Sequence, residues 1–560
     1  MIFCGSAARD KGPLTMSFPT TTVCPTRNSP IGSTLEDLFV GAHAQSPEKR
    51  LKPIQREIKE YRIFPHLRIS LMLSRKQAEG KPLLQVAKFR RPICRTIAFR
   101  QMRAYLIADM EQSSFPARVP LVTEPMTLLQ SLAAARRNVL SIIPDIATRQ
   151  PMVSGKTGKR WHMVMDPDAL RRMLLEKVDD YPKSLVTKNL LKPAIGESLF
   201  IAEGAHWRWQ RRAAAPVFSH RNVLNLSPIM SDAALRCCAR LKTQSKRAHN
   251  LFDEMVATTF DVISDVTFSG DQGFDRDAVH HAINAYVAEA GKVSLGDILG
   301  LPDWVPRWSR IISGKSLREM KTIADDVIND RYKRDSKTPP DLLDLLLGAE
   351  DSKTGRKMNT GELRDNLLTF IVAGHETTAL SLSWALYLVA NDGGVQDKAR
   401  AEVLSRVTTE AATGEDVPHL PYIRQIIDEA LRLYPPAALV SRTAMAPDTL
   451  CGREVRKGDT VIIPIYALHR HHMLWDDPDA FHPERFENAK DLPRYAYLPF
   501  GDGPRICIGA SFAIQEAVII LATLLKQFRF RPVEGRVPSP EMTLTLRPEG
   551  GVWLMAEPLA

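Results

Sequence analysis

The chain has 560 residues, 44% hydrophobic and 25% charged, enough apolar sequence to bury a sizeable core and no bias toward a disordered or fibrous composition. Its net charge of +11 is local: residues 1–109 hold 19 Lys or Arg against 8 Asp or Glu, while the rest balances at 56 of each, so the main body has no electrostatic footprint for nucleic acid. Seven cysteines, with no CxxC pair, argue against a disulfide framework or a structural zinc site and for a reducing, cytoplasmic setting.

In chain order, the first fifty residues are rich in Ser, Thr, Pro and Gly without period, and Lys88–Arg103 is dense in arginine. Met1–Ala8 lacks the basic-then-apolar order of a signal peptide, and no stretch reaches the roughly 18 apolar residues a membrane span needs. Residues 1–109 are therefore expected to be a disordered or accessory extension, or sequence upstream of a start near Met110. Residues 110–560 are expected to form one mostly helical domain. The pattern predicts a helix over Leu128–Leu140, two short strands within Met152–Val164, and a helix over Asp168–Lys177. Gly155-Lys156-Thr157-Gly158 invites a phosphate-loop reading, but Gln150 stands where that motif's first glycine belongs and the segment continues as a strand.

Helices dominate thereafter: Glu203–Ala214, Met230–Thr243, Ala278–Ala290, Ser316–Lys333, Thr360–Val389, Val395–Ser405 and Leu420–Leu433. Strands are expected near Glu454–Ile463 and at Met542–Leu546 and Gly551–Met555, which flank a Pro548-Glu549-Gly550-Gly551 turn.

The strongest chemical signal is Phe500-Gly501-Asp502-Gly503-Pro504-Arg505-Ile506-Cys507-Ile508-Gly509, feeding into an apolar helix over Ala510–Phe528. Its glycines and proline dictate a tight loop. Cys507 then sits where backbone N–H groups, a helix's positive end and Arg505 would favour a thiolate. The competing reading is a small buried cysteine in a glycine turn.

This loop resembles the haem-ligand loop of the cytochrome P-450 family. The resemblance implies that Cys507 is the axial thiolate of haem b, that Phe500 packs near it, and that Arg505 contacts a haem propionate. Glu429-Ala430-Leu431-Arg432 before Pro435-Pro436, with Pro483-Glu484-Arg485-Phe486, is similar to the family's structural Glu–Arg–Arg triad. Ala373-Gly374-His375-Glu376-Thr377-Thr378 resembles the oxygen-binding helix, in which an acid–Thr pair, here Glu376 and Thr377, relays protons toward dioxygen. A threonine bonding back to its own helix carbonyl is the bland alternative. Trp207 and Arg211, one turn apart, resemble a propionate clamp, and Arg442 the second propionate arginine. His469-Arg470-His471-His472 reads as a loop and not as a metal cluster.

The resemblance implies a mainly α cytochrome P-450 fold with a small β region, of the soluble, bacterial type. It implies a haem-thiolate monooxygenase that inserts one oxygen atom of dioxygen into a small apolar substrate. Electrons would come from a separate ferredoxin or flavodoxin with its reductase, docking on the Cys507 side. Leu367, Leu368, Phe370 and Ile371 suggest an apolar pocket. The alternatives are a peroxide-driven peroxygenase and a non-enzymatic haem sensor or carrier. Glu376-Thr377 disfavours both.

Overall fold

A computed structural model describes residues 115–157, 159–243, 247–268, 314–333 and 340–559. The extension over 1–109 and the helix expected at Ala278–Ala290 lie outside the described residues. Helix α1 (Leu128–Arg137) is followed by strands β1 (Met152–Thr157) and β2 (Lys159–Val164). Next come α2 (Leu185–Ile195), α3 (Gly204–Ala214), α4 (Ser227–Thr243), β3 (Ala248–Asn250), α5 (Leu251–Phe268) and α6 (Gly314–Tyr332). The central helix α7 (Thr360–Asn391) leads to α8 (Gly393–Arg406), α9 (Pro421–Leu433) and the short strands β4 (Val440–Thr443), β5 (Asp448–Leu450), β6 (Arg453–Val455) and β7 (Thr460–Ile463). The chain closes with α10 (Ala510–Gln527), β8 (Phe528–Pro532), β9 (Ser539–Met542), β10 (Leu546–Glu549) and β11 (Trp553–Pro558).

The mainly α architecture is as expected, with three local differences. The helix predicted over Asp168–Lys177 is a short α segment, Pro167–Arg171, that widens into a π-type turn over Arg172–Glu176. Met542–Leu546 is the link of the β9–β10 hairpin and not a strand of its own. The last strand, β11, pairs with β8 and β3 and not across the glycine turn. Sequence reading also missed α2 and α5.

Two features position the site. Helix α7 starts on a capping box in which the Asn359 and Glu362 side chains each accept from the other's backbone N–H, at 2.9 and 3.0 Å. Its 32 residues span about 48 Å. From Ala379 to Ala390 every residue is buried, so the C-terminal half is a core strut. Trp384 stacks on Tyr434 at 3.9 Å and donates to the Leu546 carbonyl at 3.2 Å, tying the strut to α9 and β10. Helix α5 packs along α7, and the Thr259 hydroxyl donates to the His375 carbonyl at 2.7 Å.

The second feature is the buried triad. Arg432 reaches both Glu429 oxygens, at 2.6 and 2.8 Å, and its remaining N–H groups meet the carbonyls of His469, Pro478 and Ala480. Arg485 adds a third contact to Glu429 at 3.3 Å. A buried pair is tolerable because so many hydrogen bonds satisfy it, and it pins the segment that leads to the Cys507 loop. His469 belongs to the same network: Leu498 N donates to its Nε2 at 2.8 Å, and burial, with Arg432 adding repulsion, drives its pKa down to about 3. It is a neutral structural histidine, and the described residues contain no group of His, Cys, Asp and Glu arranged to hold a metal.

A four-stranded sheet of order β1-β2-β7-β4 is antiparallel except where β2 runs parallel to β7. One element departs from the sequence reading: α10 is, by length and composition, apolar enough to cross a membrane. In this fold its residues Ala517–Leu525, all apolar except Thr523, are buried in the protein core.

Candidate active site

The Cys507 loop takes its shape from its glycines. Gly501 and Gly503 both have positive φ, +71° and +70°. A Cβ on Gly503 would fall 2.2 Å from the Leu174 carbonyl oxygen, so no side chain fits there. The Asp502 carboxylate accepts from Gly503 N, and Cys507 N donates to the Phe500 carbonyl at 2.9 Å, closing the loop just before α10 begins.

The Cys507 side chain opens into a cavity of about 1230 Å³, whose walls include Trp207, Arg211, Arg442, Phe500, Arg505 and Thr377. All the expected site residues but Glu376 meet there. Burial raises the Cys507 pKa, and the Gly509 N–H and the Arg211 charge pull it down by less. Of the groups expected to favour a thiolate, a backbone N–H does act in that direction, together with Arg211 in place of Arg505, and removal from water outweighs both. A coordinated metal ion is the agent that deprotonates such a thiol outright.

One side of the cavity is cationic. Trp207 and Arg211 share a face of α3, and neither the indole N–H nor the Arg211 guanidinium has a hydrogen-bond partner among the described residues. The side chain of Arg442, on β4, bonds among the described residues only the neighbouring Ser441 carbonyl, at 3.3 Å, and burial together with the Arg505 charge lowers its pKa to about 10. Arg505 is already engaged: it pairs with Glu203, donates to the Ala202 carbonyl at 2.8 Å and lies 4.1 Å over the Trp207 ring.

Sequence reading missed Lys183. A backbone bridge pairs it with Arg442, its Nζ donates to the Phe200 carbonyl at 2.6 Å, and burial with repulsion from Arg442 and Arg505 drives its pKa down to about 7. Its only signal was a lysine after Pro182, which propensity cannot read. The cluster is positive and underpaired even with Glu203 among it. That is the donor set for a group bearing two carboxylates, so the residues present fit a haem: these side chains would hold its propionates and Cys507 would supply its thiolate.

The wall supplied by α7 differs from expectation. Thr377 lines the cavity and donates to the Ala373 carbonyl at 2.7 Å, the back-bonded state. Glu376 is buried and turned elsewhere. Its Oε1 accepts from Arg547 Nε at 2.6 Å and from the Thr545 hydroxyl at 2.8 Å. Neighbouring helix residues diverge by about 100°, so the acid and the hydroxyl cannot share a face, and the expected pair is not formed. Of the predicted pocket residues only Phe370 reaches the cavity; Leu367, Leu368 and Ile371 are buried in the core. Thr378, also on the wall, lies against the buried carboxyl of Glu516.

The family model described as Cytochrome P450 matches residues 123–555. The chain is 31% identical over 420 residues to "Cyclooctatin synthase" of Streptomyces melanosporofaciens, a match covering 74% of this chain and 90% of that protein. It is 31% identical over 444 residues to "Cytokinin hydroxylase" of Arabidopsis thaliana, covering 75% and 85%. A cytochrome P450DA heme domain of solved structure superposes with a TM-score of 0.66 at 27% identity, over 73% of this chain and 90% of that one. The chain therefore belongs to the cytochrome P450 family and is a haem-thiolate monooxygenase.

Proposed function

We propose that residues 110–560 form a catalytic domain that holds haem b through Cys507 and inserts one oxygen atom of dioxygen into a small apolar substrate. In this reading residues 1–109 are an accessory extension, and the protein works in the cytoplasm with electrons from a ferredoxin or flavodoxin and its reductase. The observation that carries it is a single cavity shared by Cys507, the underpaired cations and Thr377.

When bound, the haem supplies the iron that activates dioxygen, with the thiolate donating electron density that favours O–O cleavage. The chain's own residues do the rest. Trp207, Arg211, Arg442 and Lys183 would hold the propionates. Arg505, fixed by Glu203, supports the Trp207 ring from behind. Apolar side chains of the walls, among them Ile263, Phe218, Phe370 and Leu544, exclude water and receive the substrate. The Thr377 hydroxyl holds a proton at the cavity face. Glu376 anchors α7 to Arg547 and Thr545.

The free state of all four cysteines among the described residues agrees with a reducing compartment. The test is reconstitution: purified protein, a ferredoxin with its reductase, NADH and a panel of apolar compounds. The reading requires a carbon-monoxide band of the thiolate type and NADH-dependent oxygenated product. A thiolate band with product formed only from hydrogen peroxide would favour the peroxygenase alternative.

A further inference from the structure

Gly155, from the segment whose phosphate-loop reading the sequence ruled out, lies on β1 directly opposite Trp161 on β2. The side chains of such a pair leave the same face of a sheet. That face is a wall of the Cys507 cavity: Trp161 and Met163 of β2 line it, and so do their β7 partners Thr460 and Ile462. Met163 is 3% exposed and Trp161 only half-buried, so the row runs from the interior toward the mouth.

The backbone of Gly155 has no positive φ, so what the glycine provides is space and not conformational freedom. A Cβ there would fall 2.2 Å from Cζ2 of the Trp161 ring, 2.6 Å from Cε2 and 2.9 Å from Cη2. Carbon atoms pack at about 3.5–4.0 Å. The indole turns only as a rigid plate about two bonds, and it occupies the hollow that the missing side chain leaves. Because both residues face the cavity, a side chain at position 155 would lift the ring off the sheet and into that space.

We infer that Trp161 is a specificity-determining residue for the width of the substrate, and that Gly155 holds its ring back so that a broad, multi-ring apolar skeleton can pass the mouth. The inference rests on the reading of this cavity as the substrate site of a haem-thiolate monooxygenase. Trp161 touches substrate in this scheme; Gly155 acts only through Trp161 and is a positioning residue. Neither belongs to the propionate-binding cluster or to the Cys507 loop.

The test titrates the purified holoenzyme with probes whose imidazole head binds iron and whose tail extends toward the mouth, followed by the shift of the haem band. One is N-dodecylimidazole, a slim chain; the others carry an adamantyl cage on alkyl spacers of graded length. In Gly155→Ala the best cage probe should weaken about tenfold while the dodecyl probe stays within about twofold, a coupling in the range found for residues in contact. Trp161→Ala should move the ratio of the two affinities the other way, in favour of the cage. In the double variant the Gly155→Ala penalty should vanish, because the ring it displaces is gone. A penalty equal for both probes, or one that survives without Trp161, is what a merely structural glycine would give, and it overturns the inference. Should Gly155→Ala fail to fold, Trp161→Ala decides alone, and an unchanged ratio overturns the inference. The carbon-monoxide band separates the two ideas: its absence in unmodified protein sinks the haem-thiolate reading, whereas a normal band with an unchanged probe ratio sinks only the role of Trp161.

Discussion

Glu376 Oε1 lies 2.6 Å from Arg547 Nε, so the helix acid beside Thr377 is spent on joining α7 to β10. The pair draws its strength from one-sided burial: Glu376 is nearly enclosed, while Arg547 keeps more than a third of its surface. An arginine in that position offsets the desolvation of the carboxylate while staying partly hydrated itself. Arg547→Met is expected to leave Glu376 buried and uncompensated, at a cost of about 3 kcal/mol, whereas Glu376→Gln keeps the Thr545 contact and loses less. Denaturant midpoints of the two variants check this order. Equal and negligible losses would mean that the pair is too well solvated to matter.

Thr377→Ala removes a hydroxyl on the cavity face that donates to a carbonyl one turn back in its own helix. Haem content and substrate binding should be unchanged, because no clamp residue touches it. Oxygen and NADH consumption should continue while product yield falls by about ten- to a hundredfold in favour of peroxide. Supplying hydrogen peroxide directly should restore part of the product. Oxygen, peroxide and product balances measured together decide the point; full coupling in the variant would remove Thr377 from the mechanism.

Cys507→Ser should abolish the reduced carbon-monoxide band that characterises the family, since a neutral hydroxyl cannot donate charge to iron as a thiolate does. The loop itself should survive, because Gly501, Gly503 and the Cys507 N to Phe500 carbonyl bond shape it, and none of these depends on the sulfur. Circular dichroism of the variant should match the parent. A retained band would show that another residue ligates the iron.

Much of this was legible in the sequence, and the rest was not for identifiable reasons. The Cys507 loop could be read because glycines and a proline leave a tight turn few alternatives, and α7 because its capping box and apolar run are both local. The Glu429–Arg432 pair needs only helical spacing. What stayed hidden depends on chain reversals. Lys183 joins the cation cluster because its backbone bridges Arg442, 259 residues on. Glu376 faces Arg547 because the β9–β10 hairpin returns along α7. Helix α5 escaped because its Thr258, Thr259 and Thr267 break the apolar pattern, yet Thr258 and Thr259 bond back to carbonyls four residues earlier and all three are buried. No periodicity encodes any of these.

A chain that starts at Met110 is expected to bind haem and to melt with the full-length protein, because the matched family region begins at residue 123 and the described core starts at Ala117. Thermal unfolding of the two chains compares them directly. A clear drop in midpoint or haem content would show that residues 1–109 pack on the domain.

Glu516, 2% exposed on α10, leaves a signature on stability. Its carboxyl titrates near 4.5 when solvated and near 8 in the folded chain. Below the lower value both states carry the proton, and the burial of a neutral carboxyl is fully compatible with folding. Between the two values the unfolded chain has lost the proton while the native chain retains it. The native state therefore binds one more proton, and stability falls as pH rises, by at most about 1.4 kcal/mol per pH unit. Above the folded value the loss is complete and the slope vanishes. Glu516→Gln has no proton to hold and lacks this slope. The difference between wild type and variant, taken from denaturant midpoints at several pH values, should thus shift steadily against the wild type from about pH 5 to 8 and then level off. Parallel curves across that range would mean that the native carboxyl is already charged.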